Sequence, residues 1–193
     1  MSRPSLDVTR EESIASLAQR IANLSGELSL VIDATGYLHD ANAMPEKSWH
    51  QLEPRHLMKA FQINAIGPAI LMKHLLPLMP RDQRSVFATL SARVGSISDN
   101  QLGGWYGYRA SKAALNQFVR TAAVELKRKK PLAICVALHP GTVESKLSAP
   151  FAKSNLEVRS PTDAADQMLN VIDNLEPRHS GGFFDHRGDA IPW

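Results

Sequence analysis

Two periods of apolar spacing alternate along the chain and predict a succession of helices and strands. Leu6-Asp7-Val8 predicts a short strand. Behind it, Thr9 and Glu12 stand at capping-box spacing, and Ile14, Leu17, Ile21 and Leu24 recur at helical intervals up to Gly26, which predicts an amphipathic helix. Leu28-Ser29-Leu30-Val31-Ile32 predicts a buried strand that runs into the turn Asp33-Ala34-Thr35-Gly36. Small residues in such a turn let the backbone approach a ligand closely at a strand's carboxyl end. After a polar stretch at 37–52, a helical run over about 53–79 carries Leu57, Phe61, Ile66, Leu71, Leu75 and Leu78. Asn64 and Gly67-Pro68 interrupt it, and a proline inside a helix usually marks a kink. Asn64 is either a surface residue at that kink or one turned toward a site.

Residues 85–90 form the next predicted strand and continue into Ser91-Ala92-Arg93-Val94-Gly95-Ser96. A long helix follows, with Ala113, Ala114, Leu115, Phe118, Ala122 and Leu126 on its apolar face. Residues 132–138 predict another buried strand, ending in His139-Pro140-Gly141-Thr142. Ser160-Pro161 opens a further helix, with Pro at the first helical position and Met168, Val171, Ile172 and Leu175 on its buried side. Gly181-Gly182-Phe183-Phe184-Asp185 is the last predicted strand. Near-continuously apolar strands alternating with helices predict one α/β domain with a parallel sheet covered on both faces. Ligands on such sheets bind beyond the carboxyl ends of the strands. The turns at Asp33, Ser91 and Pro140 all fall there.

Composition narrows the class of function. The chain has 193 residues, 44% apolar and 21% charged, which suits one ordinary globular domain. No apolar run approaches the roughly twenty residues of a membrane span. The opening Met1-Ser2-Arg3-Pro4-Ser5 has no apolar signal core. A single cysteine, Cys135, lies in an apolar run and fits a buried thiol in a reducing cytoplasm. A net charge of +3 does not point to nucleic acid. The one basic run, Lys127-Arg128-Lys129-Lys130, precedes Pro131 and suits a helix end, where cations complement the dipole. No metal-ligand pattern stands out.

The chemistry centres on Tyr108 and Lys112, four residues apart on the long helix and therefore on one face. An ammonium beside a phenol favours the phenolate and lowers a pKa that starts at roughly 10. A phenol tuned in this way can exchange a proton with a substrate oxygen.

Tyr108-x-x-x-Lys112 with Ala113-Ala114-Leu115, the upstream Gly95-Ser96-Ile97 and Gly103-Gly104-Trp105-Tyr106-Gly107, the downstream Pro140-Gly141-Thr142-Val143-Glu144-Ser145 and the closing Ile191-Pro192-Trp193 resemble, in order, the short-chain dehydrogenase/reductase family. Within the family they are most similar to the C-factor and sniffer type of carbonyl reductase. The resemblance implies a Rossmann-like doubly wound fold and an NAD(P)-dependent oxidoreductase acting on a small carbonyl/alcohol pair, with NAD and NADP not distinguished. Tyr108 would be the general acid/base, and Lys112 would tune it and hold the nicotinamide ribose. Asn64 would support a relay water. Asp33, Ala34, Thr35 and Gly36 stand where the family has Asn-Asn-Ala-Gly beside the cofactor, and Asp7 and Val8 match the segment that meets the adenine. Pro140, Gly141, Val143 and Ser145 would line the nicotinamide. Tyr106, with Ala110 rather than lysine four residues on, is read as structural. The family's usual homodimers or homotetramers are the expected assembly.

Two departures accompany the resemblance. Aligning Ser91-Ala92-Arg93-Val94-Gly95 on the family's Ser-Ser-x-x-Gly puts Ala92 where the catalytic serine is expected. Ser91, one residue earlier, and Ser96, twelve residues before Tyr108, are the alternatives, with a local role favoured for Ser96. Moreover, nothing matches the family's amino-terminal Gly-rich turn, which places the cofactor diphosphate at a helix N-terminus. The chain reads as entering the family fold at its third strand, with Met1 an internal methionine of a longer frame and cofactor affinity weakened. A non-catalytic signalling or interaction protein on the same scaffold is the alternative function.

Overall fold

A computed structural model describes residues 6–24, 26–151 and 158–193; residues 1–5, which include Met1, lie outside them. Four strands form a parallel sheet in the order β1-β2-β3-β6: β1 (Leu30–Asp33), β2 (Ser85–Leu90), β3 (Ala133–His139) and β6 (Phe183–Asp185). A separate parallel pair joins β4 (Thr142–Val143) to β5 (Val158–Arg159). The helices are α1 (Glu11–Ala22), α2 (Pro54–Phe61), α3 (Gly67–Leu75), α4 (Tyr106–Lys129) and α5 (Pro161–Asn174). This is the α/β, Rossmann-like arrangement that the alternating pattern predicts. No helix among the described residues is long and apolar enough to cross a membrane.

The pleat divides the core in two. Phe87 of β2 and Ala133, Cys135 and Ala137 of β3 face α1, α3 and α4, where they meet Ile14, Leu71, Leu75, Leu115 and Val119. Val86, Ala88, Ile134, Val136 and Leu138 face α5, against Met168, Val171, Ile172 and Leu175. Alternation along a strand produces this division directly. Cys135 is buried, and burial pushes its thiol up to about 12.

Three predicted elements differ. Leu6-Asp7-Val8 is not a strand: the Asp7 carboxylate accepts both the N–H and the hydroxyl of Thr9, at 2.9 and 2.7 Å, and bends the backbone into a turn. The same bonds consume the Thr9 hydroxyl, so no capping box forms, and α1 starts after Arg10 without a side-chain cap. The strand around residue 30 lies at the sheet edge and is partly exposed rather than buried. Leu30 and Ile32 are 41% and 43% exposed, because α5 does not extend over β1 and only β2 pairs with it among the described residues. Leu24, past the end of α1, is exposed as well. By contrast, Ser160 accepts the Asp163 N–H and Pro161 opens α5, as their order implies.

The interruption of the long helical run is sharper than a proline kink. Gln62–Ile66 is a π-helical turn between α2 and α3, and Pro68 enters just after it. Such turns leave main-chain groups out of the regular ladder and recur at functional sites.

Candidate active site

The carboxyl ends of β1 and β2 converge on the turn of α4 that carries Lys112. Gly95, in the turn after β2, lies directly against that helix: a Cβ there would come within 2.8 Å of the Lys112 Cβ and 2.9 Å of its carbonyl carbon. Only glycine lets the two segments meet so closely.

Lys112 is buried, 2% exposed, and its Nζ donates to the Leu90 carbonyl at 2.7 Å. Burial pulls its pKa down to about 8, and the Asp33 carboxylate works in the opposite direction. Tyr108 lies one turn back, with the ammonium 5.9 Å from its ring centroid. Burial pushes the phenol up to about 12. The expected lowering of the tyrosine pKa is therefore absent, since removal from water disfavours the charged form of both groups. Both shifts favour the uncharged form of their group.

Asp33 closes the turn after β1. Its Oδ1 accepts the N–H and hydroxyl of Thr35 at 3.0 and 2.7 Å, and its Oδ2 accepts the Thr89 hydroxyl at 2.7 Å. Asn64, fully buried in the π-turn, imitates a peptide group. Its Oδ1 accepts the Tyr37 N–H, and its Nδ2 donates to the Tyr37 carbonyl and, at 3.0 Å, to the Ser111 Oγ. That side chain locks the loop beyond Gly36 onto α3 and α4.

The two candidate serines differ in what they have left to offer, since the Ser91 O–H is spent and Ser96 serves only as an acceptor. Ser91 donates to Asn116 Oδ1 at 2.7 Å, and Ser96 Oγ accepts the Asp99 N–H at 3.1 Å to close a local turn. Ala92, at the expected serine position, begins the short helical turn Arg93–Gly95. The turn after β3 uses a left-handed Gly141, with φ of 77°, before Thr142 and Val143 pair with β5. Pro140 precedes it, and Ser145 exchanges bonds with Ser148. Asp7 and Val8 lie apart from this cluster, with Val8 packed on Gly67 at the start of α3.

A row of aromatic edges leads away from Tyr108. Trp105 meets it at 6.2 Å between centroids, Phe151 meets Trp105 at 4.9 Å, and His39 meets Phe151 at 5.5 Å. The row ends at a cleft of about 490 Å³ lined by His39, Asp40, Ala41, Lys146 and Leu147. Trp105 is the sole non-glycine residue with positive φ among the described residues. A left-handed conformation costs a side-chain-bearing residue about 1–2 kcal/mol, and here it turns the indole toward Tyr108 and Phe151. Tyr106 begins the helix.

Sequence reasoning missed Asn116, Ser111 and Glu46. Asn116 had a signal, as a polar residue in register with Tyr108 and Lys112 on an otherwise apolar face. Ser111 and Glu46 had none, because their partners lie 47 and 61 residues away.

Known proteins with this arrangement are numerous. The family model described as enoyl-(acyl carrier protein) reductase matches residues 4–172. The C-signal protein of Myxococcus xanthus is 39% identical over 137 residues, 71% of this chain and 78% of that protein. The 1-hydroxy-2-glutathionyl-2-methyl-3-butene dehydrogenase of a Rhodococcus species is 31% identical over 190 residues, 98% of this chain and 79% of that protein. Among solved structures, the carbonyl reductase Sniffer of D. melanogaster superposes with a TM-score of 0.84 at 25% identity, covering 98% of this chain and 77% of its own. The NADPH-bound carbonyl reductase from chicken fatty liver gives 0.85 at 26% identity, covering 97% and 75%. With the strand-end turns, the π-turn asparagine and the Tyr108/Lys112 pair in the family's order, the chain belongs to the short-chain dehydrogenase/reductase family, in its C-factor and Sniffer-like branch, and is an oxidoreductase of that kind.

Proposed function

We propose that the chain reduces a small carbonyl compound to an alcohol with NADH or NADPH, with Tyr108 as the proton donor. The observation that carries this reading is the buried Tyr108/Lys112 pair at the carboxyl ends of the parallel strands. Carbonyl reductases and a dehydrogenase among the relatives support an alcohol/carbonyl pair as substrate.

The residues suit the nicotinamide–ribose half of the cofactor. Lys112 spends one N–H on Leu90, and an ammonium has three, so ribose hydroxyls match its remaining donors. At Gly36 a Cβ would meet only Leu147 Cδ1, at 4.0 Å, which leaves the backbone of Asp33, Ala34, Thr35 and Gly36 open to close approach. In this reading Pro140, Gly141, Val143 and Ser145 line the nicotinamide, and Asp7 and Val8 meet the adenine. The glycine-rich turn Gly103-Gly104 opens α4, the helix of Tyr108, and the first turn of α1 carries Glu11 and Glu12, which would repel a diphosphate.

When bound, the reduced nicotinamide supplies a hydride to the carbonyl carbon. Tyr108 gives its phenolic proton to the carbonyl oxygen, and the Lys112 ammonium stabilises the phenolate left behind. The Asn64 side chain is spent on Tyr37 and Ser111, so support of a relay water falls to the main chain of its π-turn. Ala92 carries no hydroxyl and Ser91 spends its own on Asn116, which leaves the O–H of Ser96 as the serine donor that could join Tyr108 at the substrate oxygen.

Fluorescence titration with NADH and NADPH, followed by turnover on a panel of aldehydes and ketones, tests this reading. Tyr108→Phe should keep the dissociation constant and lower turnover by about 10²-fold or more. A folded chain that binds neither nucleotide overturns it. The alanine at position 92 favours a second reading, a signalling or interaction protein on this scaffold, for which binding without turnover is the expected result.

A further inference from the structure

The start of α4 is held from outside the helix. Its first N–H groups have no intrahelical partner, as at any helix N-terminus, and the residue before it, Trp105, makes no side-chain cap. Gly103, Gly104 and Trp105 run in left-handed succession, with φ of 63°, 66° and 51°. Such a run has no reason to end in one fixed orientation unless something pins it.

Glu46, from the polar loop between β1 and α2, makes the pinning contacts. Its main-chain carbonyl accepts the Trp105 N–H, and its carboxylate Oε2 accepts the Gly107 N–H at 3.1 Å. A Cβ at Gly107 would lie 3.0 Å from the Glu46 Oε1 and 3.1 Å from a Leu57 methyl group, so glycine is needed for the carboxylate to reach the backbone. Glu46 is 7% exposed, beside Tyr37, His56 and Tyr108 in one narrow recess. A charge so buried is seldom retained for packing alone. The two N–H groups that it holds both precede Tyr108 directly, and one belongs to the residue whose indole edge meets the Tyr108 ring.

We propose that Glu46 is a positioning residue for Tyr108, fixing the entry of α4 through its main chain and its carboxylate together. The proposal rests on the reading of Tyr108 as the proton donor. One carboxylate oxygen and the main-chain carbonyl of the same residue hold the Gly107 and Trp105 N–H groups, and with them the main chain that enters the first turn of the helix. The phenol is then held in one place rather than swinging with a frayed helix end.

Three variants at this position separate positioning from simple capping. Glu46→Gln keeps an oxygen acceptor at the same reach, Glu46→Asp withdraws it by one methylene, and Glu46→Ala removes it. Glu46→Gln should stay within about 3-fold of the parent kcat. The Asp and Ala variants should lose about 30-fold in kcat, with nucleotide affinity changed less than about 2-fold. In both, hydrogen exchange at the Gly107 amide should rise about tenfold while α5 stays unchanged. In protein labelled with 3-fluorotyrosine, the Tyr108 resonance, assigned with Tyr108→Phe, should broaden or shift in the Asp variant and match the parent in the Gln variant. Unchanged kcat despite faster exchange would reduce Glu46 to a cap and overturn the proposal, as would unchanged exchange. If the parent shows no turnover, the reductase reading fails, and the fluorotyrosine signal still decides whether Glu46 holds Tyr108. If the Ala variant does not fold, the Gln and Asp pair carries the same comparison.

Discussion

The two faces of the sheet are covered to different extents, and the site lies on the fuller one. Under α1, α3 and α4, Phe87, Cys135 and Leu115 are fully buried, and the cover extends to β1, where Val31 packs and Asp33 is 4% exposed. On the opposite face α5 covers β2 and β3 but leaves Leu30 and Ile32 of β1 about two-fifths exposed, beside the buried Val86 and Ala88 to which they are registered. One strand therefore has a dry side and a wet side. The dry side supplies the Asp33 carboxylate to Lys112 and Thr89. Such cover keeps the site at low dielectric, and desolvation raises the pKa of Tyr108 and lowers that of Lys112.

Breaking the covered face should cost most. Phe87→Ala empties a fully buried position between β2 and the helices of that face. The expected loss is about 3–5 kcal/mol of unfolding free energy, read from the urea midpoint at unchanged m-value. A loss below about 1 kcal/mol would mean that the helices on this face pack loosely, and the argument from burial to the pKa values would fail with it.

This asymmetry was only half legible in the sequence. Period-two and period-3.6 patterns were enough to place β2, β3, α4 and α5, because burial on both faces leaves almost no polar interruption in residues 85–90 and 133–138. The same apolar run at 28–32 hid the exposed side of β1, since a strand at an uncovered edge and a strand at the centre of a parallel sheet can carry identical residues. Tyr108 and Lys112 were found from a four-residue spacing, yet the direction of the tyrosine shift was not, as desolvation depends on everything packed around the pair. Glu46 and Ser111 act through bonds to distant segments, and no local pattern marks such partners.

A smaller intervention alters the electrostatics of the dry side without opening it. Asp33→Asn keeps an oxygen for the Thr35 N–H and hydroxyl, and its amide can donate to Thr89 once that hydroxyl rotates. What it removes is the negative charge that raises the Lys112 pKa against burial. Lys112 then loses its proton at lower pH, starting from about 8. In the proposed reduction the ammonium stabilises the Tyr108 phenolate, so activity should fall as pH rises through the lysine pKa. The alkaline limb of the pH–rate profile should move down by about one pH unit. A ¹³C-methyl-lysine titration of Lys112 gives the same answer without turnover. A limb that stays in place or moves upward would show that Asp33 does not set the lysine charge.

The wet side should tolerate change best, and that tolerance can be tested at Ile32. Its side chain is 43% exposed and registers with Ala88, so Ile32→Thr removes one partly hydrated methyl-bearing arm while keeping a β-branched residue in the strand. The area lost from burial is small, and the expected destabilisation is about 0.5 kcal/mol, within the range of surface substitutions. An exposed apolar edge also favours edge-to-edge association, so the variant should aggregate more slowly on heating, as followed by light scattering. A destabilisation above about 2 kcal/mol, approaching that of a buried aliphatic side chain, would carry the opposite lesson. It would mean that something covers this face in solution, and that the contrast between the two faces of β1 belongs to the described residues rather than to the protein at work.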